Sequence, residues 1–172
     1  MLKFRLPAVL ALSLSAGAAQ AHVVFAEPQA VAGSHWVGAL RVGHGCDGSA
    51  TTRLRVEIPP AILVAKPRPK PGWTVQIERE ALAAPVAGEG GRPVTERVRA
   101  ITWTGVLADE AFDVFELAAK LPAEGGELVF PVVQSCEAGA LRWTDPPLAG
   151  GARSPQPAPI LRVRPVDAPA HH

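Results

Sequence analysis

The chain has 172 residues, with 17 basic against 16 acidic side chains and a formal net charge of +1. That length suits one domain around one core, and so even a balance gives no electrostatic case for nucleic acid or an anionic membrane surface. The 18 prolines and 16 glycines are spread along the sequence and argue against long helices.

Lys3 and Arg5 precede an apolar run, Leu6–Ala18, that ends in Ala19-Gln20-Ala21. A short basic start, an apolar stretch and small residues at the end mark residues 1–21 as an export leader cleaved before His22. The run is too short to stay in a bilayer as an anchor, which takes about 20 residues. No later stretch is long and apolar enough, so no membrane anchor is expected in the mature chain and a periplasmic location is. Removal takes away two bases and no acid, which leaves 15 against 16 and a net charge of −1. Met1 is the only methionine, so the mature chain carries none.

The remaining chain reads as short strands. Val23–Ala26 opens one, and Trp36–Val42 is a second. Leu54, Val56 and Ile58 alternate with Arg53, Arg55 and Glu57, a two-residue period with one buried face. Pro59-Pro60 ends it. Every second residue of Lys66-Pro67-Arg68-Pro69-Lys70-Pro71 lacks an amide hydrogen, which confines this segment to a sheet edge or a loop. Trp73, Val75 and Ile77 alternate again. Residues 83–95, rich in Ala, Gly, Pro and charge, are expected to form a loop. Strands follow at Val98–Trp103, Phe112–Ala118, Glu127–Val133, Arg142-Trp143 and Ile160–Val163. The pattern predicts an all-β, antiparallel β-sandwich of the immunoglobulin or cupredoxin kind over residues 22–166. Residues 167–172 are expected to be a loose tail.

Cys46 and Cys136 are the only two cysteines. In an oxidising compartment such a pair is a disulfide by default. The competing reading is a thiolate site for Cu(I), which usually draws on methionine as well. A mature N-terminal His22 is itself a chelator. Its α-amine and ring Nδ1 can grip one metal ion together, and both shed their protons readily near neutral pH. Nitrogen ligands suit Cu(II), which stands highest in the divalent affinity order.

Several segments resemble the YcnI-like family of exported copper-binding domains. They are Ala21-His22-Val23-Val24-Phe25, Val42–Ser49, Lys66–Thr74, Ile101-Thr102-Trp103-Thr104-Gly105, Phe130–Cys136, Arg142-Trp143 and Ser154–Pro159, in order along nearly the whole mature chain. The resemblance implies a β-sandwich that holds Cu(II) through the amine and ring of one N-terminal histidine. A strand carboxylate completes that site, a tryptophan packs beside the metal, and the role is copper handling, not catalysis. Carried over, the histidine is His22 and the tryptophan Trp143. Where the resemblance implies the acid, this sequence has Arg55. Glu57, two residues on and on the same face, is the substitute. His44, in the Gly43-His44-Gly45-Cys46 turn, is a further ligand candidate. His35, Asp47 and Glu27 rank below these, and His171 and His172 would catch metal adventitiously.

Three functions follow as expectations. The first is a periplasmic Cu(II)-binding protein for copper trafficking or homeostasis, exchanging metal with another periplasmic or membrane copper-handling protein. The second is a copper oxidoreductase with a histidine brace, for which His44 would be the second imidazole. The absence of tyrosine and an aromatic content of 5% leave little for a carbohydrate-stacking surface. The third is a metal-free, partner-binding sandwich. Gly88-Glu89-Gly90-Gly91 lacks the lysine and helix of a phosphate loop, and no nucleophile elbow is present.

Overall fold

Leu54 and Val56 are fully buried, while Arg53, Arg55 and Glu57 on the same strand face outward. That alternation, repeated along the chain, produces a computed structural model built of strands. It describes residues 22–148, 150 and 154–166. The leader (1–21) and the tail (167–172) lie outside the described residues.

The strands are β1 (Val24–Phe25), β2 (Gln29–Val31), β3 (His35–Val42), β4 (Thr51–Glu57), β5 (Ala65–Pro67) and β6 (Thr74–Ala87). They continue as β7 (Pro93–Leu107), β8 (Asp113–Lys120), β9 (Gly126–Val129), β10 (Val132–Cys136), β11 (Ala140–Trp143) and β12 (Ile160–Arg164). Three sheets form, in the orders β1-β3-β8-β5, β11-β10-β4-β7-β6 and β2-β12-β9. Among the described residues, every strand pairing is antiparallel except that of β2 with β12. The fold is thus the all-β sandwich expected. Leu40, Val42, Phe115 and Leu117 from the first sheet meet Leu54, Val56, Ile101, Trp103 and Val132 from the second in one core. Each of the larger of these side chains contributes roughly 1.5–3 kcal/mol by leaving water. Among the described residues no helix is long and apolar enough to cross a membrane.

Two expectations need correction. Residues 83–95 are not a loop throughout: β6 and β7 run on as a hairpin arm, with Val86 opposite Val94 and Ala87 opposite Pro93. The register shifts between Ala81 and Val86. Pro85 falls inside that shift, and β6 is a sheet edge, so a residue without an amide hydrogen is tolerated there. Glu127–Val133 is not one strand but two. The chain changes sheets at Phe130-Pro131, where the Phe130 amide donates to the Pro159 carbonyl and the Pro131 carbonyl accepts from the Glu57 amide. The three-residue β2 carries too little periodicity to be seen in sequence. The Lys66–Pro71 segment behaves as expected, with β5 at a sheet edge.

Cys46 and Cys136 form a disulfide with Cα atoms 6.0 Å apart. It ties the β3–β4 connection to the end of β10.

Candidate functional site

His22 stands immediately before β1. In that strand Val24 lies opposite Arg41 and Phe25 opposite Leu40. Continued backwards, the register sets His22 level with Gly43, one residue from His44. Val23 is buried, so the chain is anchored directly after the histidine. The His22 ring is half-buried and meets Trp143 edge-on, with ring centroids 5.3 Å apart and planes at 67°. Such edge-to-face pairing is the favoured geometry for two aromatic rings.

Trp143 belongs to the core cluster, yet it carries a polar handle. Its indole N–H donates to Gln134 Oε1 at 3.1 Å. Gln134 is buried on β10, and its Nε2 donates to the His44 carbonyl at 2.7 Å and to Thr51 Oγ1 at 2.8 Å. The network ends against the disulfide, with Thr51 Oγ1 at 3.8 Å from Cys136 Sγ. Thr51 reaches this face because of a β-bulge. Ser135 pairs with Arg53 but the next residue, Cys136, pairs with Thr51, so the extra residue Thr52 reverses the alternation.

The His44 turn is tightly made. Cys46 and Ser49 exchange both backbone hydrogen bonds at 2.9 Å. Asp47 and Gly48 take positive φ values of 47° and 82°. A Cβ on Gly45 would lie 1.9 Å from the Ser49 carbonyl oxygen, which requires glycine there. The Gly45 amide donates to Asp109 Oδ1 at 3.1 Å. The turn is therefore held by the disulfide, by Asp109 and by Gln134. The His44 ring turns its Nδ1 to the Gly45 carbonyl, and it is the backbone of His44 that enters the network.

Glu57 is not brought to His22. Trp143 shares its cross-strand row with Val132, Val56 and Ile101, all facing inward. Glu57 lies opposite Ala100, in the row of Glu78, on the outer face. There Arg55 Nη1 donates to Glu57 at 2.7 Å and its Nη2 to Glu78 at 2.9 Å. The hydrogen bond from Arg55, reinforced by its charge, holds the Glu78 carboxyl below the usual carboxylate range, against a smaller opposing effect of burial. The hydrogen bond to Glu78 likewise raises the Arg55 guanidinium. Glu57 is thus one arm of a structural ion-pair cluster. Asp47 and Glu27 are exposed, and His35 opens β3, opposite Lys120. Among the described residues no three His, Cys, Asp or Glu side chains gather into a group able to hold a metal ion.

Of the other tryptophans, Trp36 and Trp103 are buried and Trp73 packs edge-on against Phe115 at 4.8 Å, as core residues would. Sequence reasoning assigned no role to Gln134 and Thr51. For Gln134 a signal existed, since it sits between Val132 and Cys136 at an inward position of a strand, and a polar residue at a core position is the informative exception.

The model of the domain of unknown function DUF1775 matches residues 22–163. The chain belongs to the DUF1775 family. The matched segment begins at His22 itself. No curated protein matches the chain. Among solved structures, this DUF1775 chain is similar to an uncharacterized protein from Nocardia farcinica whose crystal structure reveals an immunoglobulin-like fold. The two are 28% identical with a TM-score of 0.62, over 83% of this chain and 97% of that one.

Proposed function

We propose that this DUF1775 protein is exported, loses residues 1–21, and binds one Cu(II) ion through the amine and ring nitrogen of His22. Its role is copper trafficking or homeostasis, with exchange of the ion to or from another periplasmic or membrane copper-handling protein. The observation that carries this reading is the His22–Trp143 pair, at the residue where the family domain begins.

The donor chemistry fits. Both cysteines are used in the disulfide and the only methionine is Met1, so no soft set for Cu(I) is at hand. No cluster of ligating side chains occurs among the described residues. A metal here therefore depends on nitrogens that one residue supplies by itself, and an N-terminal histidine does so. Trp143 would cover one side of the ion, and copper brings redox capacity that such cover restrains.

The test uses protein exported and processed in a bacterial host, with His171 and His172 replaced by alanine. Intact mass is expected to place the N-terminus at His22. Electron paramagnetic resonance and competition titration are then expected to give one tight Cu(II) equivalent with nitrogen hyperfine structure. A second sample, carrying one extra residue ahead of His22, is expected to lose it. Cleavage elsewhere, or weak binding that the extension leaves unchanged, overturns the proposal.

A further inference from the structure

We infer that Gln134 is the positioning residue of the His22 site, fixing the Trp143 indole against His22 and tying both to the His44–Cys46 turn. Its consequence for metal rests on the copper reading above, but its geometry does not.

The argument starts from burial. Gln134 is 1% exposed, at a strand position where Val132 and Cys136 on either side also face inward. An amide there is costly unless its groups are paired. Three of its four hydrogen-bonding positions are used: the oxygen accepts from Trp143, and the two amide hydrogens go to the His44 carbonyl and Thr51 Oγ1. The orientation of the amide is dictated by its partners. An indole N–H only donates and a backbone carbonyl only accepts, so the reversed amide would break both hydrogen bonds. One side chain therefore joins β10 to β11, to β4 and to the β3–β4 connection.

The effect on Trp143 is specific. The residue directly opposite Gln134 on β11 is Leu141, and Trp143 is its diagonal neighbour. The indole leans along the strand to reach Gln134, and the same ring meets His22 at 67° between planes. Without the amide oxygen the indole N–H would face apolar core, and the ring would turn to find another acceptor. Gln134 acts on His22 through Trp143, the ring that His22 meets. Side chains hydrogen-bonded to a metal's own ligands typically change affinity by about 10–100-fold when removed, and Gln134, one contact further out, is expected at the low end.

The test compares wild type with Gln134→Leu, which keeps length and loses every hydrogen bond. The first readout is nuclear magnetic resonance on metal-free protein. In wild type, the Trp143 indole N–H is expected to exchange slowly, and its ring to show nuclear Overhauser cross-peaks to His22. In folded Gln134→Leu, that one indole signal is expected to shift and exchange faster, and the cross-peaks to His22 to disappear. The signals of Trp36, Trp73 and Trp103 are expected to stay. The second readout is Cu(II) titration, with affinity expected to weaken by ~10-fold and the paramagnetic spectrum to change. If Gln134→Leu does not fold, Thr51→Val removes one acceptor from the same amide and is expected to shift the same Trp143 signal by less. Unchanged Trp143 and His22 signals in a folded variant overturn the inference. Wild-type protein that takes no copper, with Trp143 still displaced by the substitution, sinks the copper reading and upholds the positioning role.

Discussion

The sheet β11-β10-β4-β7-β6 carries polar chemistry on both faces, and the two faces handle it oppositely. Inside, Trp143, Gln134 and Thr51 are neutral and buried and the His44 carbonyl is half-buried, and the indole and amide donors each have one defined acceptor. Outside, Arg55 is shared between Glu57 and Glu78, with these side chains retaining 19%, 47% and 31% exposure. β4 feeds both faces, through Thr51 on one and Arg55 and Glu57 on the other. The inner set specifies geometry, since a misplaced neutral group there has no water to turn to. The outer set tolerates movement, because solvent and salt compensate. The His22–Trp143 pair is joined to the first kind of face through the Trp143 N–H.

The largest effect is expected from the covalent part of the inner face. The disulfide joins residues 90 apart in sequence. Loop-closure entropy for such a span gives on the order of 4–5 kcal/mol, as an upper value. The double variant Cys46→Ala, Cys136→Ala is expected to lose about 4 kcal/mol in urea denaturation against the oxidised wild type. A loss below about 1 kcal/mol would mean that the unfolded chain without the bridge keeps structure that already restricts this loop.

How much of this was legible in sequence follows from the same two faces. Alternation along Leu54–Ile58 located the core face and, with it, the outward direction of Glu57. What it did not reveal is that Trp143, the ring His22 meets, lies on the inward side, because pairing between β11, β10 and β4 is a long-range fact. The family resemblance singled out His22 and Trp143, and the structure does bring those two together. It implied an acid where this sequence has Arg55, and Glu57, the substitute that strand parity offered, is held by Arg55 on the other face. Thr51 has the parity of Arg53 and Arg55, so extrapolated alternation would have sent it outward. Only the bulge at Thr52 turns it in, and a one-residue insertion in pairing leaves no mark in composition. The Cys46–Cys136 pair was legible from there being two cysteines behind an expected export leader, while the split of Glu127–Val133 was not, since it depends on which sheet each half joins.

An intermediate effect separates the faces without touching the disulfide. Gln134→Leu takes the partner from the buried Trp143 N–H and Thr51 hydroxyl and from the half-buried His44 carbonyl, and each buried unpaired group costs about 1–3 kcal/mol. A net loss of about 2–3 kcal/mol is expected after the leucine's own burial offsets part of it. Arg55→Met on the outer face is expected to cost below about 1 kcal/mol. Urea denaturation of both variants checks the order. Equal losses would erase the difference between the faces.

The smallest effect tests why the outer face is cheap to disturb. Glu78 has its carboxyl held below the usual carboxylate range by Arg55, through a hydrogen bond first and charge second. A carboxyl whose folded pKa is depressed adds stability above its unfolded value, and loses it as pH falls through the folded one. Arg55 is raised and stays charged throughout, so of the Arg55–Glu78 pair only Glu78 titrates in this window. The gap between wild type and Glu78→Gln is therefore expected to be full at pH 7, to shrink below about pH 4.3, and to vanish once Glu78 is protonated in both states. Solvent screening keeps it under about 1 kcal/mol at its largest, and 1 M salt should reduce it further. Denaturation curves at pH 7, 4 and 2.5 measure this. A gap that persists undiminished at pH 2.5 would make Glu78 a packing residue, and the outer face would then be held by shape, as the inner one is.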